Sequence, residues 1–167
     1  MILSRGEILE SLKFGDIQIK PFKNSQIGAA SVDLTLGKEF RFFKDHKKIN
    51  LTENYDYKKI TFKKRLKKLE LEPGDFVLGE TKEILKLPDN VFGLLGGRTR
   101  FARLGLLIHA TASFIQPGCK NKQIFEIKNI SNQTLVIKPG LRIAQLAFVR
   151  MEGHSVYKGK FRYQKSV

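Results

Sequence analysis

The sequence predicts a mainly β fold with one short helix near the N-terminus. Short stretches of alternating apolar residues recur along the chain, and Gly, Pro and Asn separate them. A spacing of roughly 8–12 residues between such stretches is typical of an antiparallel sandwich, a jelly roll or a barrel. With 167 residues, of which 41% are hydrophobic and 28% charged, the chain suits one folded domain.

The helix is predicted over residues 5–13. Ser4 and Glu7 have the spacing of a capping box, in which each side chain bonds the backbone N–H of the other residue. Gly15 ends the helix. The apolar stripe behind the cap consists of Ile8, Leu9 and Leu12.

The strands follow in order. The first is SVDLTLGKEFRFF at 31–43, whose apolar side chains alternate with a period of two. The others are FVLGETKEILKLP (76–88), QIFEIKN (123–129), TLVIKPG (134–140) and RIAQLAFVRM (142–151). Pro-Gly pairs at 73–74 and 139–140 suit the central positions of type II turns and should each lie between two strands. We expect a β domain over 1–152 and a basic tail over 153–167.

The net charge of +15 favours an anionic partner. Much of the excess lies in a lysine-rich segment, residues 44–70, which is either a polyanion-binding arm or a solvated loop or strand pair. It lacks the regular aromatic interleaving of a single-strand-binding platform, which favours the second interpretation. No apolar run reaches the roughly 18 residues of a membrane span, and the single cysteine, Cys119, fits a reducing compartment. We therefore expect a cytoplasmic protein without a membrane partner.

Several enzyme classes are excluded by their missing motifs. A zinc deaminase needs a His/Cys/Cys ligand set, which one cysteine and the scattered His46, His109 and His154 do not supply. The sequence has no GxxxxGK[ST] loop, no GxGxxG turn between a strand and a helix, and no GxSxG elbow.

The stretch GGRTRFARLG at 96–105 is the strongest candidate for binding an anion. Its glycines let backbone N–H groups approach phosphate oxygens, and its arginines can bind phosphate as bidentate forks. Thr99 adds a hydroxyl. Further on, Glu126 lies in a predicted strand on the face opposite Phe125 and Ile127. From the residues alone, a solvent-facing glutamate paired with Lys128 is favoured over a catalytic one.

Several motifs occur together in order: MILSRGEIL, IKPFKNSQIGAASVDLTLGKEF, LEPGDFVLGET, GRTRFARLGLLIHATASFIQPG, IFEIKN and IKPGLRIAQLAF. This series resembles the dCTP deaminase family, part of the trimeric dUTPase-like superfamily. The resemblance implies a homotrimer of distorted jelly-roll or β-barrel subunits with active sites at the subunit interfaces. It also implies deamination of dCTP to dUTP and ammonia without a catalytic metal or other cofactor, with Mg²⁺ accompanying the triphosphate.

The resemblance assigns roles to individual residues. Glu126 stands at the catalytic base. Arg103 and Thr99 match positions that hold the attacking water and help place the pyrimidine, and the Ala112 carbonyl matches a water acceptor. The residues implied in triphosphate binding are Arg98, Thr99 and Arg100.

The closing segment YKGKFRYQ resembles the family's lid over the nucleotide. This would direct Tyr157, Lys160 and Gln164 towards the phosphates, and residues 153–167 would exclude water from the site. The alternative is a frayed basic terminus.

Two positions depart from the family's pattern. Arg100 replaces a small hydroxyl residue, and both a phosphate contact and a solvent position remain open for it. Gln116 replaces an aspartate that dUTPases and bifunctional relatives require to hydrolyse the triphosphate; glutamine can bond a sugar hydroxyl but cannot act as a base at neutral pH. The alternatives are a dUTP pyrophosphatase, alone or bifunctional, and a non-catalytic trimer that binds nucleotide or nucleic acid. We do not expect nucleic acid to be the partner.

Overall fold

The computed structural model describes residues 1–44, 48–109 and 111–167. Strands make up 40% of the chain and helices 13%, which confirms the predicted mainly β class. The strands are β1 (Gln18–Lys20), β2 (Val32–Phe43), β3 (Thr61–Arg65), β4 (Leu69–Leu71), β5 (Phe76–Thr81), β6 (Ile84–Lys86), β7 (Val91–Gly97), β8 (Leu106–Ile108), β9 (Phe114–Ile115), β10 (Lys120–Asn121), β11 (Ile124–Asn129), β12 (Leu135–Ile137) and β13 (Arg142–Arg150). The helices are α1 (Arg5–Phe14) and α2 (Thr99–Ala102), with 3₁₀ helices at Asn24–Gln26 and Tyr57–Ile60.

Helix α1 confirms the helix predicted from the capping box. The Ser4 N–H donates to Glu7 Oε2 at 2.8 Å, and the hydrogen bonds from Ser4 lower the pKa of Glu7 from its usual value. Gly15 adopts a left-handed conformation with φ of 82° and ends the helix. Ile8 is fully buried, so the apolar stripe anchors the helix on the core.

The largest sheet has eight strands and curls because its longest strand, β2, serves both halves. The strand order is β8-β11-β5-β2-β13-β7-β9, and β3 also pairs with β2. The first half of β2 pairs with β13, placing Leu34 opposite Ala144. The second half pairs with β5, placing Phe40 opposite Gly79 after an irregularity in the register. Such irregularities bend a strand, so the sheet closes into a half-barrel. Among the described residues there are two smaller sheets, β1-β6-β10 and β4-β12.

Both Pro-Gly pairs form the predicted turns. Gly74 and Gly140 have φ of 88° and 98°, which the third position of a type II turn requires. Each turn lies between two strands, but the strands that precede the turns, β4 and β12, pair with each other. Residues 76–88, predicted as one strand, form β5 and β6 because the Thr81 hydroxyl donates to the Glu83 carbonyl at 2.7 Å and turns the chain.

The core lies inside the curled sheet, and the inward-facing side chains of β11 belong to it. Phe125 and Ile127 are both fully buried, which confirms the predicted face assignment for this strand. Glu126 therefore projects from the outer face, away from the core. Over the described ranges, no helix has the length and apolar character needed to cross a membrane.

Candidate active site

Glu126 projects into a pocket of about 270 Å³ on the outer face of the sheet. Its strand, β11, lies between β5 and β8, and Glu126 is directly opposite Leu78. The side chain is half-buried. Among the described residues that line the pocket are Tyr57, Leu78, His109, Ala112, Phe161 and Gln164.

Thr111 fixes the orientation of the Glu126 carboxylate. The backbone N–H of Thr111 donates to Oε2 at 3.0 Å, and its hydroxyl lies 2.8 and 2.7 Å from Oε1 and Oε2. Hydrogen bonds to a charged group are stronger than those between neutral groups. Between the described residues, Lys128 makes no ion pair with Glu126. The carboxylate is thus held by a neighbouring loop inside a pocket and does not form the surface pair that the residues alone favoured.

His109 connects the backbone of β11 to the Ala112 carbonyl. Its backbone N–H donates to the Glu126 carbonyl at 2.8 Å, and its Nε2 lies 2.6 Å from the Ala112 oxygen. Because a carbonyl only accepts, Nε2 carries the proton and Nδ1 is the acceptor of the neutral ring. Burial lowers the pKa of His109, and the Glu126 charge opposes this shift. Since a carbonyl has two lone pairs, Ala112 can still accept a bond from a water, as its predicted role requires.

No described histidine nitrogen in the pocket belongs to a metal-binding cluster. Across 1–44, 48–109 and 111–167, no three His, Cys, Asp or Glu side chains come together as a ligand set. The lysine-rich segment is covered by the structure except for residues 45–47, and His46 lies outside the described residues.

Arg98, predicted to bind phosphate, is engaged within its own chain. Its Nη2 lies 3.1 Å from Asp33 Oδ2, and its Nη1 donates to the Arg142 carbonyl at 2.8 Å. Both side chains of the Arg98–Asp33 pair are largely buried. Phosphate binding by Arg98 would therefore share or replace the contact with Asp33.

The other predicted residues of the arginine-rich stretch lie away from the Glu126 pocket. Thr99, Arg100 and Arg103 are exposed on or beside α2, and within the described chain none of them lines the pocket. Strand β8 starts opposite Asn129 and ends beside Glu126, so α2 and Glu126 lie at opposite ends of β8. A single chain does not bring these groups together.

Gln116 is exposed after β9 and, in the described chain, is not among the residues lining the pocket. Nearby, the Tyr157 N–H donates to the Pro117 carbonyl at 3.0 Å. Tyr157 is half-buried, and within the described residues it does not line the pocket either.

The tail packs along the segment that follows Gly118. The Lys120 and Lys122 amides donate to the carbonyls of Arg162 and Gln164 at 2.9 and 3.1 Å. This brings Phe161 and Gln164 to the pocket, while Lys160 is exposed beside it.

Glu80 secures the end of this tail. It is a buried carboxylate that pairs with Lys122 and accepts a bond from the Val167 N–H at 3.1 Å. The side chain of Val167 is buried as well. The structure therefore shows a docked segment and not a frayed terminus.

Several pocket residues were not selected from the sequence. His109 was considered only as a metal ligand, although it lies with Thr111 and Ala112 in the HATA segment. Strands β9 and β10 separate that segment from the Glu126 strand. Tyr57 lies in the lysine-rich segment, which carries no motif, and Phe161 lies in a tail matched only through its polar residues. Hydrogen bonding across strands, which places these side chains, is not visible in a local pattern.

The curled half-barrel defines the class of protein to which the chain belongs. The crystal structure of 2′-deoxycytidine 5′-triphosphate deaminase from Agrobacterium tumefaciens is similar, with a TM-score of 0.70 and 20% identity over 90% of this chain. The chain spans 48% of the length of that protein. The native EIAV dUTPase is similar with a TM-score of 0.55 and 18% identity, over 86% of this chain and 94% of that one. The fold is therefore dUTPase-like.

Sequence comparison identifies the family within this class. The dCTP deaminase-like family model matches residues 2–151. A "dCTP deaminase, dUMP-forming" from Beutenbergia cavernae is 36% identical over 90% of this chain and 80% of its own length. A protein of the same name from Parafrankia sp. is 31% identical over 99% of this chain and 87% of its own. The chain belongs to the dCTP deaminase-like family.

Proposed function

We propose that this chain is a hydrolase that deaminates dCTP at the Glu126 pocket. The observation that carries the proposal is a half-buried carboxylate, oriented by Thr111 and facing a pocket. The names of the relatives support the choice of substrate.

The proposed reaction needs one base and one water. Glu126 accepts a proton as the water oxygen attacks C4 of cytosine, and the Ala112 carbonyl and Arg103 hold that water. Glu126 passes this first proton to N3, then takes a second proton from the new C4 hydroxyl group and gives it to the amino group. The C4–N bond breaks with its electron pair on nitrogen, ammonia leaves and the C4 carbonyl forms, so that cytosine and water become uracil and ammonia. General base catalysis of this kind contributes ~10²–10⁴-fold. No metal ion takes part in these steps; Mg²⁺ enters with the triphosphate as part of the substrate.

We infer that a second copy of the chain completes the site, as in a homotrimer. Arg103 and Thr99 lie at the end of β8 remote from Glu126, so a neighbouring subunit would supply them. Mixing an inactive Glu126→Gln chain with an inactive Arg103→Ala chain tests this, because mixed oligomers then contain some sites with both native residues. Recovery of activity on mixing supports shared sites, and its absence argues for sites within one chain.

Gln116 bears on whether the nucleotide product is dUTP or, after release of diphosphate, dUMP. The named relatives form dUMP, which supports a second candidate function, deamination coupled to diphosphate release. Gln116 supports dUTP as the product, because it lacks the carboxylate that triphosphate hydrolysis uses in the family. Both candidates share the deamination step.

Ammonia release from dCTP by the purified chain tests the proposal. We expect one ammonia per dCTP consumed and none from dTTP, which has no C4 amine. Binding of dCTP without ammonia release would overturn the proposed activity in favour of a non-catalytic nucleotide-binding protein. Binding to long DNA that weakens steeply with salt, with no preference for dCTP, would favour a nucleic-acid-binding trimer.

A further inference from the structure

The lysine-rich segment contributes a side chain to the Glu126 pocket. Tyr57, the first residue of a 3₁₀ helix in that segment, lines the pocket together with Leu78 and Glu126. It is half-buried, whereas Tyr55 in the same segment is exposed. The sequence motifs around Glu126 do not include Tyr57 and do not predict its place in the pocket.

The sheet register explains why Tyr57 faces Glu126. Arg41 of β2 is opposite Leu78 of β5, and Leu78 is opposite Glu126 of β11. Residues directly opposite each other project from the same face of a sheet, so the three side chains form one row. With strands about 4.8 Å apart, Arg41 lies roughly 10 Å from Glu126. The Tyr57 ring packs over the Arg41 end of this row, with its centroid 5.8 Å from the guanidinium carbon.

Hydrogen bonds hold the Tyr57 backbone in place. The Thr61 hydroxyl donates to the Tyr57 carbonyl at 2.9 Å, and Arg41 Nη1 donates to the same hydroxyl at 3.2 Å. Asp56 caps the 3₁₀ helix by accepting from the Lys58 N–H at 3.1 Å. The Tyr57 backbone is therefore fixed before any ligand binds, and the packing of its ring on Arg41 limits how the side chain can turn, which reduces the entropy cost of a contact.

Tyr57 also separates the pocket from a second, basic cleft. Tyr57, Phe161 and Gln164 border both the Glu126 pocket and a neighbouring cleft of about 330 Å³. The basic residues lining that cleft are Lys58, Lys160, Arg162 and Lys165. A planar base joined to a polyanion matches this pair of cavities, with the base beside Glu126 and the phosphates in the basic cleft.

We propose that Tyr57 is a substrate-contacting residue. Its ring packs against the nucleoside at the point where the bound substrate extends from the Glu126 pocket into the basic cleft. This role rests on the proposed function and assigns the lysine-rich segment to the nucleotide site. Burial raises the pKa of the Tyr57 phenol, so the group stays neutral at neutral pH.

Calorimetric titration of dCTP into chains carrying Glu126→Gln, which prevents turnover, tests the contact. We expect Tyr57→Leu to raise Kd about tenfold, the scale of a lost base–aromatic contact, and Tyr57→Phe to raise it by less than about threefold. Tyr55→Leu is the matched control, because Tyr55 lines neither cavity in the described chain, and should bind as the parent does. An unchanged thermal midpoint would show that Tyr57→Leu still folds.

The outcomes separate the two proposals. If the Kd of Tyr57→Leu for dCTP lies within about twofold of that of Tyr55→Leu, the proposed Tyr57 contact is wrong, even if the native chain releases ammonia. If Tyr57→Leu weakens binding but the native chain releases no ammonia, the contact stands and the deamination fails. If the native chain binds no dCTP, both proposals fail.

Discussion

Thr111 donates to the Glu126 carboxylate through both its backbone N–H, at 3.0 Å, and its hydroxyl, at 2.8 and 2.7 Å from the two oxygens. The contact joins a loop to the centre of strand β11. A base must present a lone pair in a defined direction, and this contact restricts how the carboxylate can turn. The orientation of the proposed base therefore depends on a residue that takes no part in the proposed proton transfers.

Replacing Thr111 by Val should slow the reaction without unfolding the protein. The variant keeps the backbone N–H bond and a similar volume but loses the hydroxyl. We expect kcat to fall roughly tenfold, the equivalent of one hydrogen bond to a charged group, in a steady-state ammonia assay. Thr111→Ser, which retains the hydroxyl, should keep most of the activity. Equal rates for the two variants would show that the hydroxyl has no part in orienting Glu126.

The nucleotide product of the reaction should be dUTP. With dCTP as substrate, we expect dUTP and ammonia in equal amounts and no diphosphate, measured by ion chromatography. Gln116→Asp restores the carboxylate of the family pattern and should gain diphosphate release, whereas Gln116→Asn should not. Diphosphate and dUMP from the native chain would instead assign it the activity named for its relatives.

His109 should make the folded state sensitive to acid. Burial lowers its pKa below the ordinary 6.5, so the unfolded chain takes up a proton at a higher pH than the folded chain does. The free energy of unfolding should therefore fall as pH drops from the ordinary pKa towards the lowered one.

Urea unfolding near neutral pH and about one unit below the ordinary pKa of histidine measures this loss. The control is His109→Gln, which retains an N–H donor for Ala112 but does not titrate. It should lose less stability than the native chain over the same interval. An identical pH dependence in both proteins would remove His109 as the cause.

The Cys119 thiol should be inert in the folded protein. Its side chain is 2% exposed, and burial raises its pKa to about 11, so little thiolate is present at mildly alkaline pH. We expect iodoacetamide to modify Cys119 only after denaturant is added. An Asn132→Cys variant, with its new thiol in an exposed turn, should take up one label per chain while native. Rapid labelling of native Cys119 would contradict the buried position.

Local patterns in the sequence predicted α1 and the segments that form β2, β5, β6 and β11 to β13, but they did not single out β1, β7, β8, β9 or β10. The capping box of α1, the Pro-Gly turns and the face of β11 that holds Phe125 depend on neighbouring residues, and the structure has all three. The pairing of β4 with β12 joins residues more than 60 positions apart. No local pattern carries that information.

The composition of the pocket is also beyond what local sequence patterns can predict. The family motif selects Glu126 as the catalytic base. Without the motif, the residue pattern favours a surface glutamate paired with Lys128. The bonds from Thr111 and the approach of Tyr57 follow from how loops pack over the sheet. The roles predicted for Arg103, Thr99 and Arg100 stay predictions, because one chain does not place these residues at the pocket.

The most direct measurement of the central claim compares kcat for dCTP deamination in native and Glu126→Gln chains, with dCTP affinity measured in parallel. The amide keeps the size of the side chain but cannot accept a proton, so we expect kcat to fall by ~10²–10⁴-fold and Kd to change by less than about threefold. Glu10→Gln, an exposed glutamate on α1, should behave as the native chain. A Glu126→Gln chain that keeps more than about a tenth of the native kcat would show that Glu126 is not the base.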